Sequence, residues 1–546
     1  MSNRKYEYPV DSLHAYRTKF DMSHGVKGSF NHGLLIPFDT IEVLPGDTFK
    51  VDVASIIRMS TPIAPIMDNV HMFLSAWFVP NRLVFDNWEQ VMGANKDGAW
   101  LTDMNEYVVP EVEVPIFNGQ TIGDYMGLPV GIDLEDISFG VSALPARGYA
   151  MIWNENFRSE VVSAPLPIDH SSNGRVLVSS YVDSNGNTHG TGFYNGSPLP
   201  LGKYSDYFTK ALPQPIKHDP VPFIPDMLPV GAVGSDIHEF PGSQIRLGSG
   251  TSPVSGNLGT NSGYLYGDPS TTLNSIYPIS GSNLFASVSG AWNTIEAIRV
   301  AFQLDKFYWK DGAYGSRYWE ILEGHFKVTN KTGVLQLPQK LGEIRWRINV
   351  DQVLSTAGYS ADDQTTVGAP GANSVTTNKG SLFTFSATEH GYIFIVGGTR
   401  HDHTYGQGVP KYFTRSDRLD FYDPVFANIG EQPVMQTELF VNDEDSNRDV
   451  IFGYQEAWAE YRYIPDRVCG LLNPKTTNSL DFWTLADKYD SAPILNGQFI
   501  YENRNSLSRA LVTGSTGPDF IFDMFFKTTA VREMPLFSIP GMVDHH

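Results

Sequence analysis

From Phe49 to Met59 the chain alternates without a break. Phe49, Val51, Val53, Ser55, Ile57 and Met59 fall on one side, and Lys50, Asp52, Ala54, Ile56 and Arg58 on the other. A period of two over this length predicts a half-buried strand, and Pro45-Gly46-Asp47 supplies the turn before it. The next run, Val70 to Val79, is apolar on both faces, which predicts a strand deep between layers rather than at a solvated sheet surface. "EIRWRINV" repeats the alternation, setting Ile344, Trp346, Ile348 and Val350 against Glu343, Arg345, Arg347 and Asn349. Strand-like runs also cover 381–387, 391–398, 434–441, 450–464 and 519–531.

Helical spacing is concentrated in the middle of the chain. "DNWEQVMG" predicts a short helix from Asp86, stopped by Gly93. Pro145 opens a clearer one, with Tyr149, Ile152, Trp153 and Phe157 on one face. A long helix starts at Asn293, its stripe made of Ile295, Ile298, Phe302 and Trp309 with Gly312 just past its end, and "SRYWEILEG" follows. Residues 175–195 predict an exposed hairpin turning at Asn185-Gly186. Strands therefore flank a helical, insertion-rich middle, and strands distant in sequence must pair to close the sheets. That is the demand of a Greek-key or jelly-roll topology, so the expected fold is a mainly β, antiparallel sandwich over 34–546. Residues 1–33 show neither period and are expected to form an extended N-terminal arm.

Residues 228–290 differ in texture, with 11 Gly and 12 Ser but scattered Tyr264, Tyr266, Tyr277 and Phe285. Aromatics at this density argue against a disordered linker and for a surface insertion that packs, against copies of itself. Charged residues are only 18% of the chain, below the roughly 25% of ordinary soluble domains. Much of the surface is thus expected to be covered by other subunits.

A net charge of −21 argues against binding nucleic acid through one broad basic face. Local contact is another matter. Arg4, Lys5, Arg17 and Lys19, interleaved with Tyr6, Tyr8 and Tyr16, combine cations for phosphate with rings for base stacking. The single cysteine, Cys469, excludes an intrachain disulfide, fits a reducing cytoplasm, and stands among apolar neighbours that predict a buried, inert thiol. No run approaches the roughly 18 apolar residues of a membrane span, and no secretory signal opens the sequence, so neither membrane insertion nor secretion is expected.

Enzymatic chemistry finds little support. There is no G-x-S-x-G elbow, and "GQGVPK" lacks most of a phosphate loop. The acidic run "NDEDSNRD" has Arg448 where a calcium loop needs Gly and Tyr454 where it needs Glu, so it reads as a hairpin tip. In "TRHDHTYGQG", His401 and His403 would project from one strand face with Asp402 opposite. They are the candidate metal pair, but no third ligand stands at a diagnostic spacing, and hydrogen-bonding or interface histidines are the better reading. No cofactor is expected.

Ten stretches spread in order along the chain carry a resemblance, among them "KFDMSHGVKGSF", "PFDTIEVLPGDTF", "TPIAPIMDN", "FVPNRLVFDNW", "LPARGYAMIWNENFR", "FGYQEAWAEYRY" and "IPGMVDHH". The chain resembles the major capsid proteins of microviruses, in particular the gokushovirus branch of single-stranded DNA phages. The resemblance implies an eight-stranded jelly roll, a sixty-copy T=1 icosahedral shell assembled in the bacterial host cytoplasm, and packaged circular single-stranded DNA. "EVLPGDTFKVDVASIIRM" would be its first barrel strand. Residues 228–290 occupy the place of the threefold protrusion, which makes Tyr264, Tyr266, Tyr277 and Phe285 candidate threefold or host-receptor contacts. Sixty copies at −21 would add about −1260 to an anionic genome. The implied partners therefore include a small basic DNA-binding protein, along with an internal scaffolding protein and a minor pilot protein. "HDHTYGQG" departs from the family pattern at both histidines. The alternative is a carbohydrate-binding or carbohydrate-active jelly roll.

Overall fold

The computed structural model describes residues 17–94, 107–113, 119–131, 140–170, 194 and 196–215, 295–315, 317–327, 336–354, 370–441 and 450–537. Short strand segments at 175–176, 181–182, 188–189, 258–261 and 264–267 complete it. By internal contacts the chain divides into two compact units, Met1–Pro215 with Gly315–His546, and Ile216–Tyr314.

The principal strands described in the larger unit are β1 (Arg17–Asp21), β2 (His24–Phe30), β3 (Leu34–Val43), β4 (Thr48–Met59), β5 (Val70–Pro80), β6 (Leu199–Pro200), β7 (Gln339–Arg347), β8 (Thr376–Ser386), β9 (Gly391–His401), β10 (Glu431–Met435), β11 (Ile451–Glu456) and β12 (Phe520–Glu533). One antiparallel sheet runs β2–β12–β4–β8, with β1 also on β12; the other runs β6–β3–β9–β5–β7. β2, β3, β4 and β5 in turn, and later β7, β8, β9 and β12 in turn, switch between these sheets at each step, which is the wrapping of a jelly roll, while β10 and β11 pair with each other apart from them.

The alternation of β4 explains its place. Phe49, Val51, Val53 and Ile57 point into a shared core with Met72, Leu74, Ile393, Ile395, Phe520 and Met524. Phe30 stacks on Phe520 at 5.1 Å and meets Phe38 edge-on at 5.5 Å, joining the consecutive β2 and β3 to the far end of the chain in β12. β5 is buried on both faces as expected, because a second layer covers the far side of its sheet. That layer is helix α1 (Leu144–Ile152), with Pro145 in its first turn, continued by a π-helical turn Trp153–Phe157. Trp346 of β7 is only half-buried, packing on the core from its edge.

Three expectations are corrected. Residues 17–30 are not a free arm: β1 and β2 pair with β12 over twelve register positions. Their glycines and lysines hide the strand signal, yet Gly28 is where the Phe522 ring lies, 2.9 Å from where a Cβ would be. The first barrel strand is therefore β2, and "EVLPGDTFKVDVASIIRM" is cut by the Pro45-Gly46 turn into β3 and β4 of opposite sheets. Cys469 is exposed, because it sits in an irregular loop where no layer covers it.

Tyr181–Val182 pairs antiparallel with Thr188–His189 as the predicted hairpin requires; its turn lies outside the described residues, as does the acidic run 442–449. Helix α3 (Tyr318–Phe326) matches "SRYWEILEG". In the smaller unit, helix α2 (Ile295–Tyr314) runs through Gly312, and Leu258–Asn261 pairs antiparallel with Tyr264–Gly267. No helix among the described residues is long and apolar enough to cross a membrane.

Candidate nucleic-acid and assembly surfaces

The pleat that buries β4 in the core sends its other side chains to solvent, and the neighbouring registers decide what joins them. Lys50 stands beside Thr529, Asp52 beside Lys527, Arg58 beside Ile521 and Ala54 beside both Phe525 and Lys379. Lys27 opposes Asp523, while Arg17 and Lys19 continue the same face on β1. The face thus gathers seven exposed cations, Arg17, Lys19, Lys27, Lys50, Arg58, Lys379 and Lys527, with exposed Ile56, Ile521 and Phe525 among them. Four carboxylates share it, those of Asp21, Asp52, Asp523 and Glu533. Only loose pairing ties them to the lysines, such as Lys27 to Asp523 at 3.6 Å. In a chain of net charge −21 this is a locally basic, partly apolar surface, the chemistry that suits a phosphate backbone with stacked bases.

Arg17 and Lys19 were expected to touch DNA from a free arm; they do stand on this face, held in a strand, with Arg17 donating to Gly46 O and to Thr48 Oγ1. Arg4, Lys5, Tyr277 and Phe285 lie outside the described residues. Tyr264 and Tyr266 pair with Asn261 and Gly259.

A second surface is apolar. Segment 411–429 has three short 3₁₀ turns and no long element. Phe413, Leu419, Val425 and Ile464 are 71, 70, 83 and 87% exposed. The segment is nevertheless firmly seated. Arg415 pairs with Glu460 at 2.9 Å and lies over the Tyr461 ring at 4.4 Å, and Trp458 donates its indole N–H to Phe426 O at 3.0 Å. An ordered, apolar, exposed surface of this kind is what contact between protein copies uses.

The two candidate histidines converge on a third place. β9 ends at His401, so His403 lies beyond the strand, yet the two rings approach to 4.0 Å between centroids, while Asp402 turns away to His71 at 3.7 Å. Around them the fold brings His32, Asp487 and Glu502. Glu502 Oε2 lies 3.1 Å from His401 Nδ1, 3.2 Å from His403 Nε2 and 3.3 Å from His32 Nε2. His403 Nδ1 is 3.0 Å from Asp487, which also accepts from Lys203 at 2.9 Å and Tyr489 at 2.8 Å. Burial pushes His401 down to about 4. Burial also opposes charge on His403, but Asp487 and Glu502 outweigh it and raise that imidazole to about 9. Gly33 makes the meeting feasible: its φ is +77°, and a Cβ there would come within 2.7 Å of Glu502 Cβ.

Comparison with known proteins decides which of these surfaces to weigh. Residues 9–542 match the family described as capsid protein (F protein) of phages. The chain belongs to this microvirus capsid-protein family. It is 32% identical to the capsid protein VP1 of Chlamydia phage 1, covering 99% of this chain and 98% of that relative. It is also 32% identical to VP1 of Spiroplasma virus 4, over 97% and 96%, and 31% identical to VP1 of Bdellovibrio phage phiMH2K, over 97% and 96%. The capsid subunit is a structural protein of the virion that assembles with copies of itself into a shell, not an enzyme. That sets the carbohydrate-active alternative aside, and the exposed apolar segment and basic sheet face are the features a shell subunit needs.

What the residue reading missed in the capsid subunit is register-dependent. Lys50 and Arg58 were read as the polar side of one strand, but that Lys27, Lys379 and Lys527 join them follows only from pairing across hundreds of residues. Likewise His32 meets His401 across 369 residues and Glu502 across 470, with no local signal beyond a histidine beside a glycine.

Proposed function

We propose that sixty copies of this capsid subunit close a T=1 icosahedral shell around circular single-stranded DNA, with the basic face of the β12 sheet turned toward the genome. The observation that carries this reading is the seven exposed cations on one face of a strongly acidic chain. Such a face gives each subunit a local foothold on phosphate, while the total charge leaves genome neutralisation to a small basic DNA-binding protein. An internal scaffolding protein and a minor pilot protein complete assembly in the host cytoplasm. Residues 228–290, with Tyr264, Tyr266, Tyr277 and Phe285, form the threefold protrusion that meets the host surface receptor.

Particles from infected cells test it. Cryo-electron microscopy should show sixty-copy isometric shells with the β12 sheet innermost. The variant Lys50→Glu/Lys379→Glu/Lys527→Glu should still give subunits that sediment as shells but with several-fold less nuclease-protected DNA. Normal DNA content in that variant would overturn the assignment of the face.

A further inference from the structure

Glu502, His32 and His401 are fully buried, and their contact atoms form a triangle: His32 Nε2 to His401 Nδ1 3.0 Å, His401 Nδ1 to Glu502 Oε2 3.1 Å, and Glu502 Oε2 to His32 Nε2 3.3 Å. With Glu502 ionised, no arrangement of protons satisfies all three edges. If both ring nitrogens carry hydrogen, two N–H groups face each other across 3.0 Å. If only one does, the other nitrogen presents a lone pair to a carboxylate oxygen. Three lone pairs pointing at one place do suit a cation. Donors around a tetrahedral ion with bonds of about 2.0–2.2 Å stand about 3.3 Å or slightly more apart, within a few tenths of an ångström of each edge here.

Two further observations point the same way. Glu502 Oε1 is buried without a hydrogen-bond partner, so the second oxygen of the same carboxylate is uncommitted to any protein donor. His32 and the Glu502 carboxylate are also oriented from behind. His32 Nδ1 contacts Thr399 Oγ1 at 2.9 Å, which leaves Nε2 for the centre, and His403 approaches Glu502 Oε2 while Asp487 holds its other nitrogen. Imidazole nitrogens mixed with carboxylate oxygens, in a closed, buried position, select zinc-class ions over calcium or magnesium, which prefer all-oxygen shells.

We propose that His32 Nε2, His401 Nδ1 and both carboxylate oxygens of Glu502 hold a structural zinc-class divalent cation in the folded subunit. The cation joins the turn before β3 and the end of its sheet neighbour β9 to Glu502, which lies in no strand and comes from a segment some hundred residues further along the chain. Because the ligands are enclosed, the ion enters as the chain folds.

Full-length protein produced in zinc-supplemented cells and dialysed against EDTA should retain about one zinc per chain by elemental analysis. Production with cobalt instead should give the visible absorption bands of tetrahedral Co²⁺, lost in Glu502→Gln and His401→Gln. Wild-type measurements alone decide the matter if those variants fail to fold. Less than about a tenth of an equivalent of zinc, with no cobalt bands, would overturn the proposal. So would retention of calcium alone, or cobalt bands that survive both substitutions.

Discussion

On the β12 sheet the side chains pointing away from the core include Lys50, Arg58 and Lys527; on the β9 sheet they include Phe73, Trp77 and Phe394. The two sheets share one core and the same antiparallel geometry, so the difference lies in what covers the second face. α1 and its π-helical continuation roof the β9 sheet, burying Tyr149, Ile152 and Trp153 against it. Nothing among the described residues roofs the β12 sheet, and burial alternates along β4 and most of β12. The first sheet is built to carry further protein, the second to meet solvent and charge.

The sharpest way to break that contrast is to truncate one ring on each far face. Phe394→Ala beneath the roof should cost about 3–5 kcal/mol, whereas Phe525→Ala on the open face, 47% exposed, should stay within about 0.5 kcal/mol. Denaturant midpoints of the two variants measure this directly, and equal losses would mean that the open face is covered after all. Tyr149→Phe probes the roof more finely. Its hydroxyl donates to Leu35 O at 2.7 Å and accepts from Leu199 N–H at 3.0 Å, so removing it strands two buried backbone groups at about 1–3 kcal/mol. Trp346, at the edge of the roofed sheet, should lose less on truncation to Ala than the about 3–5 kcal/mol of a fully buried indole. Its N–H has no partner, so Trp346→Phe should cost little, and thermal melts of the two variants would separate ring packing from hydrogen bonding.

The smallest expected effect concerns a tie between the sheets. His24 on β2 lies 3.2 Å from Asp39 on β3, and the hydrogen bond to Asp39 raises the imidazole to about 9 against the pull of burial. The folded value exceeds the unfolded value of about 6.5, so the stabilisation is complete below that pH and fades as pH rises through about 9. Asp39→Asn should flatten the stability profile across this window. Unchanged slopes in paired titrations would show that the pair contributes nothing.

Legibility in the sequence followed the same division. β4, β5 and β7 were readable because their periodicity reflects what lies on each face, whether polar, apolar or mixed. β1 and β2 were not, since "HGVKGSF" holds one β-branched residue and two glycines, and its strand character comes from pairing with β12 rather than from propensity. The candidate sites divide alike. His401 and His403 announce themselves two apart, but the meaning of the pair depends on His32 and Glu502, which only the closed barrel delivers.

β12 has one more consequence. It lies between β2 and β4, in the interior of its sheet, yet residues 520–533 leave the ribosome after the other described strands of that sheet have been made. Until then the nascent chain holds two unpaired strand edges where one sheet should be, the state that invites chaperone binding and aggregation rather than docking. Late translation thus works as an inspection step: a subunit cut short before residue 520 would lack the middle of its own wall, and a prematurely terminated product could not be built into a particle.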